Sequence, residues 1–314
     1  MKPKNETLVT EFILEGFPGS SQIQILLFVL LFVVYMATLI GNILIIAIIC
    51  LDYRLHTPMY FFLANLSFLE ISCISVVVPK MLINLVVEKK SISYATCMVQ
   101  GFFYFYFSAT DFLLLSVMSV DRYVAICHPL HYSTIMSSRV CIYLVLGCWV
   151  SSFLLFLPPT VLICQLPFCG LNLIEHFFCD TFSVLVLACA DTQLIKLLAL
   201  IVASMVLLGP LLLTMLSYIY IISTILKISS SEGQQKAFST CTSHLTMVTL
   251  VFGSAIFIQV RPMHSSWLYM NKVVSALSTI LTPLLNPFIY TLRNEKVKEV
   301  LRDGLNHLKH LQKM

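Results

Sequence analysis

Charge is the scarcest resource in this chain of 314 residues: Asp, Glu, Lys and Arg together make up 11%, against about a quarter in a soluble domain. That deficit excludes an ordinary water-soluble globule. The net charge of only +4 gives no basis for a nucleic-acid partner. No early apolar core with a small-residue cleavage site precedes the first long apolar run, so that run is expected to act as its own insertion signal. No internal repeat is apparent, which argues against a transporter. No nucleophile–base pair is apparent, which argues against an enzyme. The 11 cysteines do not fall into two close pairs, so a zinc site is disfavoured.

What the sequence has instead is apolar length, with 59% hydrophobic residues and a mean hydropathy of +0.92. Seven runs are long enough to cross a bilayer, at about 20 residues each. They are Ile23–Leu51, Met59 to about Val87, Phe102–Cys127, Val140–Ile163, Leu194–Leu226, Ala237–Val260 and Leu268–Leu292. The fold class is therefore all-α: a seven-transmembrane bundle over residues 23–292. A polar segment, 1–22, precedes it. Residues 293–314 alternate charge and leucine and read as an amphipathic surface helix.

The third run organises the rest. From Cys97 to Arg122 the chain spans about 37 Å of helix at ~1.5 Å per residue. Tyr104, Ser108, Asp111, Leu115, Met118 and Arg122 step by four and three, so they share one face. A lone carboxylate facing lipid is costly, so the face carrying Asp111 is expected to look into the bundle. Glu70 lies mid-span in the second run. Two mid-membrane carboxylates cannot both stay charged without a cation or a shared proton.

An odd number of spans puts the termini on opposite sides. Asn5-Glu6-Thr7 is a glycosylation acceptor, expected to face outside. Cys97, Cys169, Cys179 and Cys189 then fall on that same side, which suits two disulfides; sequence alone allows three pairings. Lysines and arginines divide about eleven inside to eight outside, in the same sense.

The motifs carry a resemblance. Gly41-Asn42, Asp121-Arg122-Tyr123, Trp149, Pro210 and Asn286-Pro287-Phe288-Ile289-Tyr290 are similar to marks of rhodopsin-like G-protein-coupled receptors. Leu55-His56-Thr57-Pro58-Met59-Tyr60, Asp121 to Cys127, Ser217-Tyr218 and Lys236-Ala237-Phe238-Ser239-Thr240-Cys241 through His244-Leu245 resemble the olfactory receptors within that class. No histidine–arginine acid-binding pattern is present, which resembles the tetrapod-type group. Departures stand at Met118-Ser119-Val120 and Val251-Phe252-Gly253. The usual aspartate and glutamate of the second and third spans are also exchanged, as Glu70 and Asp111. A retinal-binding opsin would need a lysine deep in the seventh span, and Val273 to Tyr290 holds none.

The resemblance implies a multi-pass plasma-membrane receptor, N-terminus outside and C-terminus in the cytoplasm. Its ligand would be a small neutral volatile, and its partner a stimulatory G protein that raises cyclic AMP. It pairs Cys97 with Cys179 and Cys169 with Cys189. It assigns coupling to Asp121, Arg122, Tyr123, Tyr218 and Tyr290. By family position the ligand-binding residues are Tyr104, Phe105, Ser108, Ala109, Phe182, Val202, Ala203, Val206, Phe252, Ile256, Gln259 and Ala276. No organic cofactor is implied. A sodium ion at Glu70, Asp111 and Asn286, with Asn42 and Ser116 nearby, stands beside the alternative of a shared proton.

Overall fold

The structure is a computed structural model that describes residues 9–169, 172–260, 265–292 and 296–303. The predicted glycosylation acceptor at Asn5 and most of the C-terminal surface helix lie outside these residues, although 296–303 are helical. Among the described residues, seven helices are long and apolar enough to span a bilayer. They are α1 (Ser21–Leu51), α2 (Pro58–Val86), α3 (Tyr94–Cys127), α4 (Ser138–Cys164), α5 (Gln193–Ile225), α6 (Ser231–Gln259) and α7 (Ser265–Leu292).

Each helix turns an apolar face outward. Leu26, Leu30, Tyr143, Leu154, Leu212 and Ile219 are all more than half exposed, which only hydrocarbon satisfies. Large apolar side chains fill most of the interior, and small and polar groups join the helices at particular points. Pro287 has no N–H to give the carbonyl of Pro283, and Asn42 Nδ2 donates to that carbonyl instead, at 3.1 Å. The neighbouring Gly41 makes room, since a Cβ there would sit 3.1 Å from the Pro287 ring. The Gly41-Asn42 pair of α1 is thus matched to the proline of α7.

Two boundaries differ from the sequence reading. The segment 229–236, read as a polar loop, is helical from Ser231. Ser230 Oγ accepts from the Gly233 N–H, and Glu232 sits in the first turn, a favourable start for a helix. The N-terminal segment is not simply polar. Glu11–Leu14 forms a strand, β1, between β2 (Ser91–Ser93) and β3 (Leu173–Ile174), antiparallel to the first and parallel to the second. Its alternation buries Phe12 and Leu14 completely. Lys272, near the start of α7, is buried and pairs with Glu15 at 2.6 Å.

At the opposite end a short turn, Tyr53–Leu55, joins α1 to α2. Arg54 binds Asp52 at 2.8 Å and reaches Asp303 of the 296–303 helix at 2.9 Å. The Arg54 hydrogen bonds hold the Asp52 carboxyl below the usual carboxylate range.

Candidate functional site

α3 carries the site because it runs through the middle of the bundle, against α2, α4, α5 and α6. Its upper end is tied to the long loop between α4 and α5 by a disulfide, Cys97 to Cys179; a second bridge joins Cys169 to Cys189. Both match the pairing that the resemblance implied. Gln100, buried next to the first bridge, accepts from the Cys179 N–H at 3.1 Å and donates to the Val76 carbonyl at 3.0 Å. Gly101 is what lets the loop come this close: a Cβ there would stand 2.9 Å from the Cys179 carbonyl oxygen.

Below the loop lies a cavity of about 230 Å³. Tyr104, Phe105, Ser108 and Ala109 of α3 line it, with Phe182 of the loop, Val202, Ala203 and Val206 of α5, and Gln259 of α6. Nine of the twelve predicted residues therefore share one space. Phe252, Ile256 and Ala276 do not line it. The α6 wall is Val251, Ala255, Ile258 and Gln259, a face one residue, or ~100°, away from the predicted one. Phe252 is buried against the Phe112 ring, with centroids 5.2 Å apart, and Ile256 turns outward at 39% exposure. Ala276 packs with Ile74, Val77 and Phe178 in a separate apolar cluster.

The cavity has walls the sequence reading missed. α4 contributes Phe156, Pro159, Thr160 and Ile163, and α7 contributes Ser278, Thr279 and Thr282. The Pro158-Pro159 pair could have flagged the first of these. Most of the lining is apolar, the ordinary character of a small-molecule site. Among the polar atoms, Tyr104 OH is engaged with Thr279 Oγ1 at 3.1 Å. Gln259 Nε2 is buried without a hydrogen-bond partner among the described residues.

The predicted carboxylate pair reaches the same cavity, where Glu70 and Asp111 form part of the lining. Asn286 Nδ2 donates to Glu70 Oε1. Four oxygens, Asn42 Oδ1, Glu70 Oε2, Asp111 Oδ1 and Asn286 Oδ1, are buried without hydrogen-bond partners among the described residues. Ser116 is engaged elsewhere, donating to Leu113 O at 2.7 Å. An oxygen-only set with two carboxylates suits a hard monovalent cation or a shared proton. Among the described residues no group of three or more His, Cys, Asp and Glu side chains is arranged to hold a metal.

The predicted coupling residues gather at the other end of α3. Arg122 pairs with Asp121 at 2.7 Å, and Asp121 also accepts from Tyr132 OH at 2.7 Å. Burial and the Asp121 carboxylate push the Tyr132 phenol up, so it remains a donor. Tyr123 OH meets His128 Nε2 at 3.1 Å. Tyr218 contacts His244 Nδ1 at 2.7 Å, and His244 Nε2 faces the Leu115 carbonyl at 3.2 Å. A carbonyl can only accept, so Nε2 carries the proton and Nδ1 accepts from the tyrosine. This buried histidine bridges α3, α5 and α6 and keeps Tyr218 occupied. The sequence reading had it only as a motif letter. Tyr290 falls in the last turn of α7, where its side chain lies outside the described residues.

A model of the family described as "Olfactory receptor" matches residues 31–307. Human olfactory receptor 6T1 is 50% identical over 305 residues, covering 97% of this chain and 94% of its own. Human olfactory receptor 6X1 is 51% identical over 302 residues, covering 96% and 97%. The chain belongs to the olfactory receptor family. The receptor also shares its fold with the crystal structure of squid rhodopsin, at a TM-score of 0.71 and 18% identity, covering 92% of this chain and 82% of that one. It is a multi-pass membrane receptor of the G-protein-coupled class, not an enzyme.

Proposed function

We propose that this olfactory receptor binds a small neutral volatile in the cavity beneath the loop. We further propose that it answers by activating a stimulatory G protein at the Arg122 end, raising cyclic AMP. The observation that carries the ligand class is the lining. Between the disulfide and the carboxylate floor it is formed by Phe105, Phe156, Val202, Val206 and similar residues, with no Lys, Arg, Asp or Glu among the described residues. An acid lodged there would lose its hydration without a charged partner, at a cost of several kcal/mol, and so would an amine whose charge stays among these walls above the carboxylates. A neutral molecule gains about 25 cal/mol per Å² of apolar surface buried. An oxygen on it can accept from Gln259 Nε2, for a net gain of roughly 0.5–1.5 kcal/mol. Few atoms bind, so affinity is weak.

The Asp121–Arg122 pair, with Tyr218 held by His244, supports a resting arrangement at the coupling end. In this reading the β-sheet end faces outside, with the glycosylation acceptor, and the Arg122 end faces the cytoplasm. The oxygens of Glu70, Asp111 and Asn286 would hold a sodium ion, whose single charge would offset one of the two carboxylates. The test is a cyclic AMP assay against an odorant panel in cells that traffic such receptors. Response to neutral volatiles, lost in Arg122→Ala, is the expected result. Activation by carboxylic acids or amines alone would overturn the ligand class.

A further inference from the structure

The cavity continues past its apolar walls. Its floor is Glu70 of α2 and Asp111 of α3, with Cys73, Thr282 and Pro283 around them. Glu70 is only 4% exposed. One of its oxygens accepts from Asn286, and the other has no hydrogen-bond partner among the described residues. Asp111 Oδ1 is buried in the same condition. An ionised carboxylate only accepts, and one proton shared between two carboxylates still leaves an acceptor oxygen. The hydroxyl groups above the floor do not meet this need. Tyr104 is engaged with Thr279, and the polar atom beside Ser108 Oγ is Cys73 Sγ at 4.0 Å. Glu70 Oε2 and Asp111 Oδ1 at the deep end therefore have no donor bonded to them among the described residues, while Gln259 Nε2 at the upper wall has no acceptor.

We infer that the cavity selects ligands bearing a hydroxyl at the end that points down. An alcohol is preferred over the ether, ketone or ester of similar shape. Asp111, with Glu70 beside it, is the specificity-determining acceptor. This rests on the reading of the cavity as the odorant site and narrows it. A site with a buried acceptor rejects the analogue lacking a donor, because that acceptor is then left unpaired in a dry space. The preference should be largest without sodium, since a cation would compete for the same oxygens.

The experiment uses the full-length receptor in lipid nanodiscs, in choline buffer. It reads thermal stabilisation by straight-chain aliphatic alcohols of graded length, each paired with its methyl ether. The expected result is a half-saturating concentration roughly tenfold lower for the alcohol. Asp111→Leu should remove the difference. Asp111→Asn, which keeps a carbonyl oxygen but loses the charge, should reduce it several-fold, and it decides the matter where Asp111→Leu does not fold. Equal potency of alcohols and ethers, or a preference unchanged in Asp111→Asn, overturns the proposal. Failure of every alcohol to stabilise the receptor overturns it too. A cyclic AMP response to other volatiles would then leave the odorant-receptor reading standing.

Discussion

Gln100→Ala should destabilise the receptor more than truncation of any exposed glutamine. The side chain is 5% exposed and makes two bonds at once, from the Cys179 N–H and to the Val76 carbonyl. Removing it orphans a buried N–H in the loop. It also withdraws a donor from a carbonyl inside α2, which has a second lone pair and loses less. A buried unsatisfied group costs about 1–3 kcal/mol, so the two together come to about 2–4 kcal/mol. Thermal unfolding of the purified receptor should show the loss as a lower midpoint. The effect should also be non-additive with Cys179→Ser, because both changes release the same stretch of loop. An unchanged midpoint in Gln100→Ala, or full additivity with Cys179→Ser, would refute the reasoning.

Arg122→Ala should reach the cell surface yet lose ligand-driven cyclic AMP; normal signalling by a well-expressed variant would remove the coupling role. Cys97→Ser and Cys179→Ser should each lower surface expression, and the double variant should be no worse than either, as measured by surface labelling. Glu70→Gln and Asp111→Asn should change basal cyclic AMP and its dependence on sodium. If sodium affects neither the wild type nor the variants, the shared-proton alternative stands.

The seven spans were legible because hydrocarbon imposes a requirement of length and apolarity that composition satisfies directly. The polar face of α3 was legible for a related reason: Tyr104, Ser108 and Asp111 recur at helical spacing, and lipid does not tolerate the carboxylate. The α6 wall was not. Family position set the neighbourhood, but rotation about a helix axis depends on packing, and a one-residue error exchanged Val251 and Ala255 for Phe252 and Ile256. β1 was missed because its partners, at 91–93 and 173–174, are distant in sequence and its four residues carry little pattern of their own. His244 stood in the sequence as part of a polar run. Its role depends on Tyr218 and Leu115, which only the folded bundle brings to it.

The small sheet has a consequence for the order of assembly. β1 can pair with β2 once the second span has emerged, but its parallel partner comes much later. Asn172, next to β3, donates to the carbonyl of Glu11, 161 residues away in sequence. At a synthesis rate of about 5–20 residues per second, the roughly 80 residues between β2 and β3 leave the N-terminal strand about 4–16 s with one edge unpaired. During that interval Phe12 and Leu14 lack the half of their covering that β3 and its loop supply. A chain held in this state presents both a free strand edge and exposed apolar side chains, which is what retention machinery and aggregation act on. The yield of receptor at the cell surface should then depend on how quickly residues 172–174 follow β1 during synthesis, a quantity separate from the stability of the finished bundle.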